Sequence, residues 1–284
     1  MSILEARSVW KFFGSTVALS NVSLSLGKGF HVIAGPNGSG KTTLIKLWSG
    51  LIKPSRGSVL TLGLDPYANR SLIMTRVNVA FEDTTLPWWT NALDYLRFVA
   101  ERRRAKWGDV RELASLLGVD SYWSRSIRGY SSGMRKKVIL LQALIGEPEI
   151  LLLDEPYTLL DRGSIVKLNT VLQGMVREGK TIVVATHIFT DLEYNADSLT
   201  VLFNGTLLYH GGREDLIKES IYVCDKGIVG KLEYVLEHVE ELIIKDERVI
   251  IKVKPGVNIK ELGIQCTIVI DIRRVYEKTL EIIR

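Results

Sequence analysis

Apolar residues recur along this chain with two periods, and the changes of period mark its elements. Val22, Leu24 and Leu26 alternate with Ser23, Ser25 and Gly27, the pattern of a strand buried on one face. Phe30 to Ala34, Ile150 to Leu153 and Thr181 to Ala185 are unbroken, largely aliphatic or β-branched runs, as in parallel strands covered on both faces. Between the last two, Ile165, Leu168, Val171, Leu172 and Met175 lie at helical spacing within Ser164 to Glu178, and Gly179 stands where a helix stops. Strand, helix and strand in that order predict an α/β core with a mostly parallel sheet. Leu44, Leu47, Trp48 and Leu51 predict a helix closed by Gly50, and Met134 to Ile145 predict another. Toward the C-terminus the pattern predicts a helix over Gly230 to Leu242, strands over Glu247 to Val253 and Gln265 to Ile270, and a last helix over Arg273 to Arg284. That end reads as a small α+β module.

Composition adds a boundary to this picture. All six tryptophans lie before residue 124, whereas Ile221 to Arg284 carry 11 basic and 11 acidic residues and only three aromatics. The shift predicts a division near Lys218 to Tyr222, into domains 1–219 and 220–284. With 46% hydrophobic and 24% charged residues the chain is of ordinary globular composition, which excludes a disordered tail protein, a collagen and a coiled-coil rod. No apolar run approaches the roughly 18–20 residues that a membrane-spanning helix needs, and the start, Met1 to Glu5, lacks the pattern of a signal peptide. Cys224 and Cys266 suit a reducing compartment and lack metal-site spacing, so buried thiols are expected. The net charge of +5 is unevenly spread: residues 97–137 alone hold 11 basic and 4 acidic side chains. Such a patch suits nucleic acid, an anionic membrane surface or an acidic partner, but no nucleic-acid recognition module accompanies it. Arg102, Arg103, Arg104 and Lys106 within it read as a headgroup-facing patch or a solvated helix face.

Chemistry enters at Gly35-Pro36-Asn37-Gly38-Ser39-Gly40-Lys41-Thr42-Thr43, which fits G-x-x-x-x-G-K-S/T between a predicted strand and a predicted helix. Glycines let successive backbone N–H groups curl around a phosphate, and the helix start adds its positive dipole end. Lys41 is expected to reach the β- and γ-phosphates, and the Thr42 hydroxyl to ligate Mg²⁺. The buried run Ile150 to Leu153 ends in Asp154-Glu155-Pro156. Asp154 at the strand tip is placed for the Mg²⁺ shell. Glu155, pointing the other way in a β-conformation, is placed to orient or deprotonate water.

Many nucleotide-hydrolysing families share those two features. Tyr130-Ser131-Ser132-Gly133-Met134-Arg135-Lys136-Lys137 resembles the signature motif of the ATP-binding cassette (ABC) ATPases, usually L-S-G-G-Q. Leu160-Asp161 resembles that family's D-loop, Ala185-Thr186-His187 its switch histidine, and Phe13-Gly14 its adenine-stacking aromatic. The resemblance spans about residues 3 to 218. It implies a P-loop NTPase core with a small antiparallel β-subdomain and a helical subdomain over about 83–140. Residues 35–43 would cradle ATP, Thr42 and Asp154 would hold Mg²⁺, Glu155 would be the catalytic carboxylate, and His187 would sense the γ-phosphate. Ser131, Ser132 and Gly133, with Asp161 of the D-loop, would serve ATP held by a second subunit, so that two copies enclose two nucleotides head to tail. A separate membrane-spanning subunit, and a cytoplasmic place on the inner face of the cell membrane, follow from the same resemblance.

Departures from the pattern shape the expectation. Glu82, in Val79-Ala80-Phe81-Glu82-Asp83, stands where the family has the Q-loop glutamine; it keeps a Mg²⁺ ligand but adds a negative charge. Tyr130 replaces Leu, Ser132 a Gly, Leu159 a D-loop Gly, and Met134 replaces Gln as in exporter ATPases of the drug, sodium and polysaccharide group. Phe13 either stacks on adenine or packs as a core aromatic of the N-terminal sheet. Trp88 and Trp89 either line a groove for a helix of the membrane subunit or pack inside the helical subdomain. Beside the transporter ATPase stand two rival readings, a cassette ATPase without a transport role and a degenerate cassette that binds ATP as a switch.

Overall fold

The computed structural model describes residues 2–187, 196–212, 221–225, 239–245, 248–253 and 267–269. The described residues up to His210 form one compact unit and those from Gly211 onward a second.

In the first unit β1 (Leu4–Phe13), β2 (Thr16–Leu26) and β4 (Arg56–Thr61) make an antiparallel sheet in the order β2-β1-β4. The alternation of Val22, Leu24 and Leu26 is that of β2, with all three buried. A six-stranded sheet follows the order β5-β6-β7-β3-β8-β9, built from β3 (Phe30–Ala34), β5 (Val77–Ala80), β6 (Ile150–Asp154), β7 (Thr181–Thr186), β8 (Ser198–Phe203) and β9 (Thr206–Gly212). Its first five strands are parallel. Only Asn204 and Gly205, both at positive φ, separate β8 from β9, a two-residue hairpin connection that makes this edge antiparallel. The continuous apolar runs are the fully buried β3, β6 and β7.

Helices α1 (Lys41–Trp48), α2 (Arg70–Arg76), α3 (Ala92–Arg102), α4 (Trp107–Leu117), α5 (Ser132–Leu144) and α6 (Arg162–Arg177) complete the unit. Trp48 is fully buried and its indole Nε1 donates to Glu5 O at 2.9 Å, tying α1 to β1. Leu51 lies past the end of α1, because Ser49 and Gly50 already close the helix through N–H bonds to Ile45 O and Leu47 O. Helices α5 and α6 each begin two residues before the expected start. Ser131 and Asp161 cap them, accepting from Met134 N and Ser164 N. Asn78 of β5 donates to Ala143 O and Ile145 O at 2.8 Å, holding the end of α5 against the sheet.

In the second unit β10 (Ile221–Asp225), β11 (Val239–Lys245), β12 (Arg248–Val253) and β13 (Thr267–Val269) form an antiparallel sheet, β11-β12-β10-β13. Its residues Val239 to Leu242 correct the end of the expected helix over Gly230 to Leu242, whose residues 230–238 lie outside the described ones. From Val239 the chain is a strand, because Val239 to Lys245 pairs with β12 across the two residues Asp246 and Glu247. The strands expected near 247–253 and 265–270 are β12 and β13, and the expected last helix lies outside the described residues.

Because β3, β5, β6 and β7 run parallel, their C-terminal ends meet on one edge of the sheet. Gly35, Glu82, Glu155 and His187 leave from those four ends within two residues. That edge is where open α/β sheets bind ligands.

Candidate active site

The loop from β3 to α1 can be built only with glycine at two places. A Cβ on Gly35 would stand 2.4 Å from Leu202 O and from Ser39 Oγ. At Gly40 φ is +104°, and a Cβ would meet the Leu19 side chain at 2.6 Å and Ala18 O at 2.7 Å. Gly40 is also the N-cap of α1, which carries no side-chain cap and no acidic residue in its first turn. The first N–H groups of α1 therefore remain free to meet an anion.

A cavity of about 380 Å³ opens over this loop, lined by Phe13, Thr16 to Ala18, Asn37 to Thr43, Glu82 and Glu155. Lys41 is buried on its floor; Nζ donates to Gly35 O at 2.7 Å and Pro36 O at 3.2 Å and lies 3.2 Å from Glu155 Oε1. Thr42 Oγ1 donates to Asp154 Oδ2 at 2.7 Å. Asp154 Oδ1 is buried and has no hydrogen-bond partner among the described residues. Burial pushes the Asp154 carboxyl above its usual range, against the Thr42 hydrogen bond that favours the ionised form.

Glu155 is only 3% exposed, and its carboxylate ties three elements together. Oε2 accepts from Thr186 Oγ1 at 3.1 Å and His187 N at 3.3 Å, while Oε1 faces His187 Nδ1 at 2.9 Å and Lys41. The expected β-conformation is corrected here. Glu155 has φ +47°, in the left-handed region, because β6 ends at Asp154 and the chain turns sharply before Pro156. That turn lets Glu155 line the cavity while Asp154 is held by Thr42, a lining residue beside it. Thr186 was not singled out by sequence; as one more residue of an apolar strand it carries no local signal.

Phe13 is half exposed, lines the cavity and has the Lys11 ammonium 4.9 Å from its ring centroid, which is not a core position. Glu82 stands on the cavity wall. Ser131, Ser132 and Gly133 do not line it: Ser131 and Ser132 are exposed at the start of α5. Ser132 is helical, so the change from Gly costs no positive φ. Buried Tyr130 replaces Leu with a gain, since its hydroxyl donates to Tyr122 O and Arg125 O at 3.1 Å. Asp161 also lies off the cavity. It takes Ser164 N and Oγ at 2.8 Å, lies 3.5 Å from Lys137 Nζ, and the Ser164 amide foremost pulls its carboxyl down to about 2.

The basic run 102–106 does not present one face. Arg103 turns inward and donates to Ile145 O at 3.1 Å, so only Arg102, Arg104 and Lys106 are exposed. Trp88 and Trp89 pack edge to face at 5.8 Å and are 59% and 74% exposed.

Comparison with known proteins agrees with this geometry. The family model described as "ABC transporter" matches residues 19–158. The chain is 33% identical over 205 residues to the ABC transporter ATP-binding protein NatA of Bacillus subtilis, covering 70% of this chain and 83% of that one. It is 27% identical over 218 residues to the lantibiotic transport ATP-binding protein SrtF of Streptococcus pyogenes, covering 75% and 94%. Among solved structures, the ATP-binding subunit of an ABC transporter superposes with a TM-score of 0.69 at 24% identity, over 76% of this chain and 92% of that one, a likeness of fold. The chain belongs to the ABC transporter ATPase family.

Proposed function

We propose that this member of the family is the ATP-hydrolysing subunit of an ABC transporter, of exporter type, which works as a head-to-tail pair of cassettes beneath a separate membrane-spanning subunit. One observation carries the reading. The P-loop and Glu155 line one cavity, with Asp154 bonded to Thr42 and His187 to Glu155, while the signature residues Ser131, Ser132 and Gly133 of the same chain do not line it. A chain so divided holds two incomplete half-sites, and a second copy completes both.

Residue by residue, the backbone of 35–43 and Lys41 bind the phosphates of ATP, and Phe13 offers a ring face to adenine. Thr42 Oγ1 and Asp154 are hard oxygen donors, and the unpartnered Asp154 Oδ1 fits a divalent cation, so this pair would hold Mg²⁺, with Glu82 a further ligand. Bound there, the cation would neutralise charge on the β- and γ-phosphates. Glu155 orients a water and accepts its proton as the water oxygen bonds to the γ-phosphorus and the bond to the bridging oxygen breaks, giving ADP and phosphate. His187 sits beside Glu155 and reports whether the γ-phosphate is present. Asp161 orders the start of α6 next to the partner's site.

Transport is supported by the names of the relatives, NatA and the lantibiotic transport protein among them. No helix among the described residues is long and apolar enough to cross a membrane, so the spanning part is assigned to another chain. The exposed Trp88–Trp89 pair would suit an aromatic anchor for it, in support of a place on the inner face of the cell membrane. We read residues 1–219 as the nucleotide-binding domain and 220–284 as an accessory domain.

Glu155→Gln is the test. It keeps the shape but cannot take a proton, so turnover should fall at least about 100-fold while ATP drives a stable dimer on size-exclusion chromatography. Wild-type turnover in this variant removes Glu155 from the reaction.

A further inference from the structure

A second cavity, of about 490 Å³, has no part in the reaction outlined above. It is larger than the cavity over the P-loop and within the roughly 300–1,000 Å³ usual for small-molecule sites. Three connections meet there: the turn from α3 to α4, the link from α5 to β6 and the link from α6 to β7. The last two precede strand starts, so the cavity lies at the opposite edge of the parallel sheet from the P-loop. No residue lines both cavities.

Its wall is divided by chemistry. Val110 and Leu113 of α4, Leu144 of α5, and Val171 and Met175 of α6 make an apolar side. Two half-buried cations, Arg103 and Lys180, also line it, whereas the carboxylates Asp109, Glu147 and Glu178 are all exposed. Among the described residues neither of these cations forms an ion pair. Arg103 is held at both ends. Gly146 admits its stem, since a Cβ there would stand 2.8 Å from Arg103 Cβ. One of its five N–H groups goes to Ile145 O at 3.1 Å. Lys180 Nζ donates to a backbone oxygen, Glu147 O, at 3.5 Å. Apolar wall, half-buried cations and exposed carboxylates together complement a molecule with an apolar body and one negative end.

Helix α6 adds an independent mark. Gly174 lies in its interior, where glycine weakens a helix relative to alanine. It lines the cavity, and a Cβ added to it would meet no atom within 4 Å. Close packing does not call for this glycine; what it preserves is open volume. Position then gives the cavity a bearing on the reaction. Helix α5 starts at the signature and α6 at Asp161, and both end at the cavity. A ligand seated there touches the two helices that carry residues for the partner's ATP, about 20–24 Å of helix away.

We propose that this cavity is a regulatory site for a free, small amphipathic anion, an aliphatic or aromatic body carrying one carboxylate or phosphate, which adjusts how the two cassettes pair. Its effect on turnover rests on the nucleotide-site reading above; its binding does not.

The experiment uses the full chain, with decanoate, decyl phosphate and decyltrimethylammonium as probes. Binding is measured by calorimetry without nucleotide, and turnover with Mg-ATP. At least one of the anions should bind saturably, one per chain, and about tenfold or more tightly than the cation of the same length. The tighter anion identifies the head group. Gly174→Leu, which fills the cavity, should weaken that binding about tenfold or more, and Lys180→Met about threefold or more. At saturation the anion should change wild-type turnover about twofold or more, and should leave the turnover of Gly174→Leu where it stands without the anion. Should Gly174→Leu not fold, Lys180→Met decides. Absence of saturable binding, equal affinity for anion and cation, or undiminished binding by the folded variants overturns the proposal. Binding with no change in turnover overturns it as well. A wild-type chain that binds the anion but hydrolyses no ATP would instead sink the nucleotide-site reading.

Discussion

Leu159 holds a left-handed φ of +66° with its side chain 64% exposed. A branched side chain at that φ stores of order 1–3 kcal/mol, and exposure returns little of it. The strain is fixed by a neighbour: a Cβ on Gly133 would stand 2.9 Å from Leu159 O, so the D-loop backbone lies close against the start of α5. Leu159→Gly should raise stability by about 0.5–1 kcal/mol, after the entropy that glycine adds to the unfolded chain, and lift the melting temperature by about 1–4 °C. An unchanged or lower melting temperature would mean that the Leu159 side chain is held by something it covers. At this scale the sequence was informative where chemistry is local. Lys41, Thr42 and Asp154 could be named because a loop and a strand tip carry their own spacing. The conformation of Glu155 could not, since its carboxylate is held by Lys41 at the start of α1 and by Thr186 and His187 at the end of β7.

Elements were legible where one face or both faces of a strand are buried, and least so at helix starts. Periodicity follows the apolar residues, which sets the expected starts of α5 and α6 at Met134 and Ser164, although Ser131 and Asp161 are good capping residues three positions earlier. Val239 to Leu242, expected as a helix end, belong to a strand for the opposite reason: Leu242, Ile243 and Ile244 are contiguous, and cross-strand pairing with β12 decides between helix and strand. The cap of α6 has a measurable signature. Its carboxyl is depressed to about 2, chiefly by the Ser164 amide and then by the Ser164 hydroxyl. A depressed carboxylate adds stability that is present above its unfolded value and lost as pH falls through the folded one. Asp161→Asn can still cap the helix but has no proton to gain. In urea titrations, wild type should exceed the variant at pH 5, and the gap should close between about pH 4 and pH 2. A gap independent of pH would show that the charge of Asp161 contributes nothing to the fold.

At the scale of the molecule, the charge and the site point the same way, out of the single chain. The excess of basic side chains in residues 97–137 lies on the helical segment that also carries the signature, not around the P-loop cavity. No periodicity or composition could have shown that the P-loop and the signature, both present once, fail to meet. That follows from the parallel sheet, which gathers the P-loop, Asp154 and His187 at one edge while α5 starts beyond it. The separation can be tested by complementation. Lys41→Ala disables the phosphate loop and leaves the signature intact. Ser131→Asp leaves the loop intact and still caps α5, but turns a negative charge toward the partner's γ-phosphate. Each variant alone should hydrolyse ATP poorly. In a head-to-tail pair that contains one of each, one site combines both disabled halves and the other combines both intact halves. An equimolar mixture should therefore recover roughly a quarter of wild-type turnover, since half of the dimers are mixed and each carries one intact site. Recovery should also rise with total protein concentration, because the active species is the pair. A mixture no more active than its components would place the signature and the P-loop in the same chain's site, and the two-copy reading would fall.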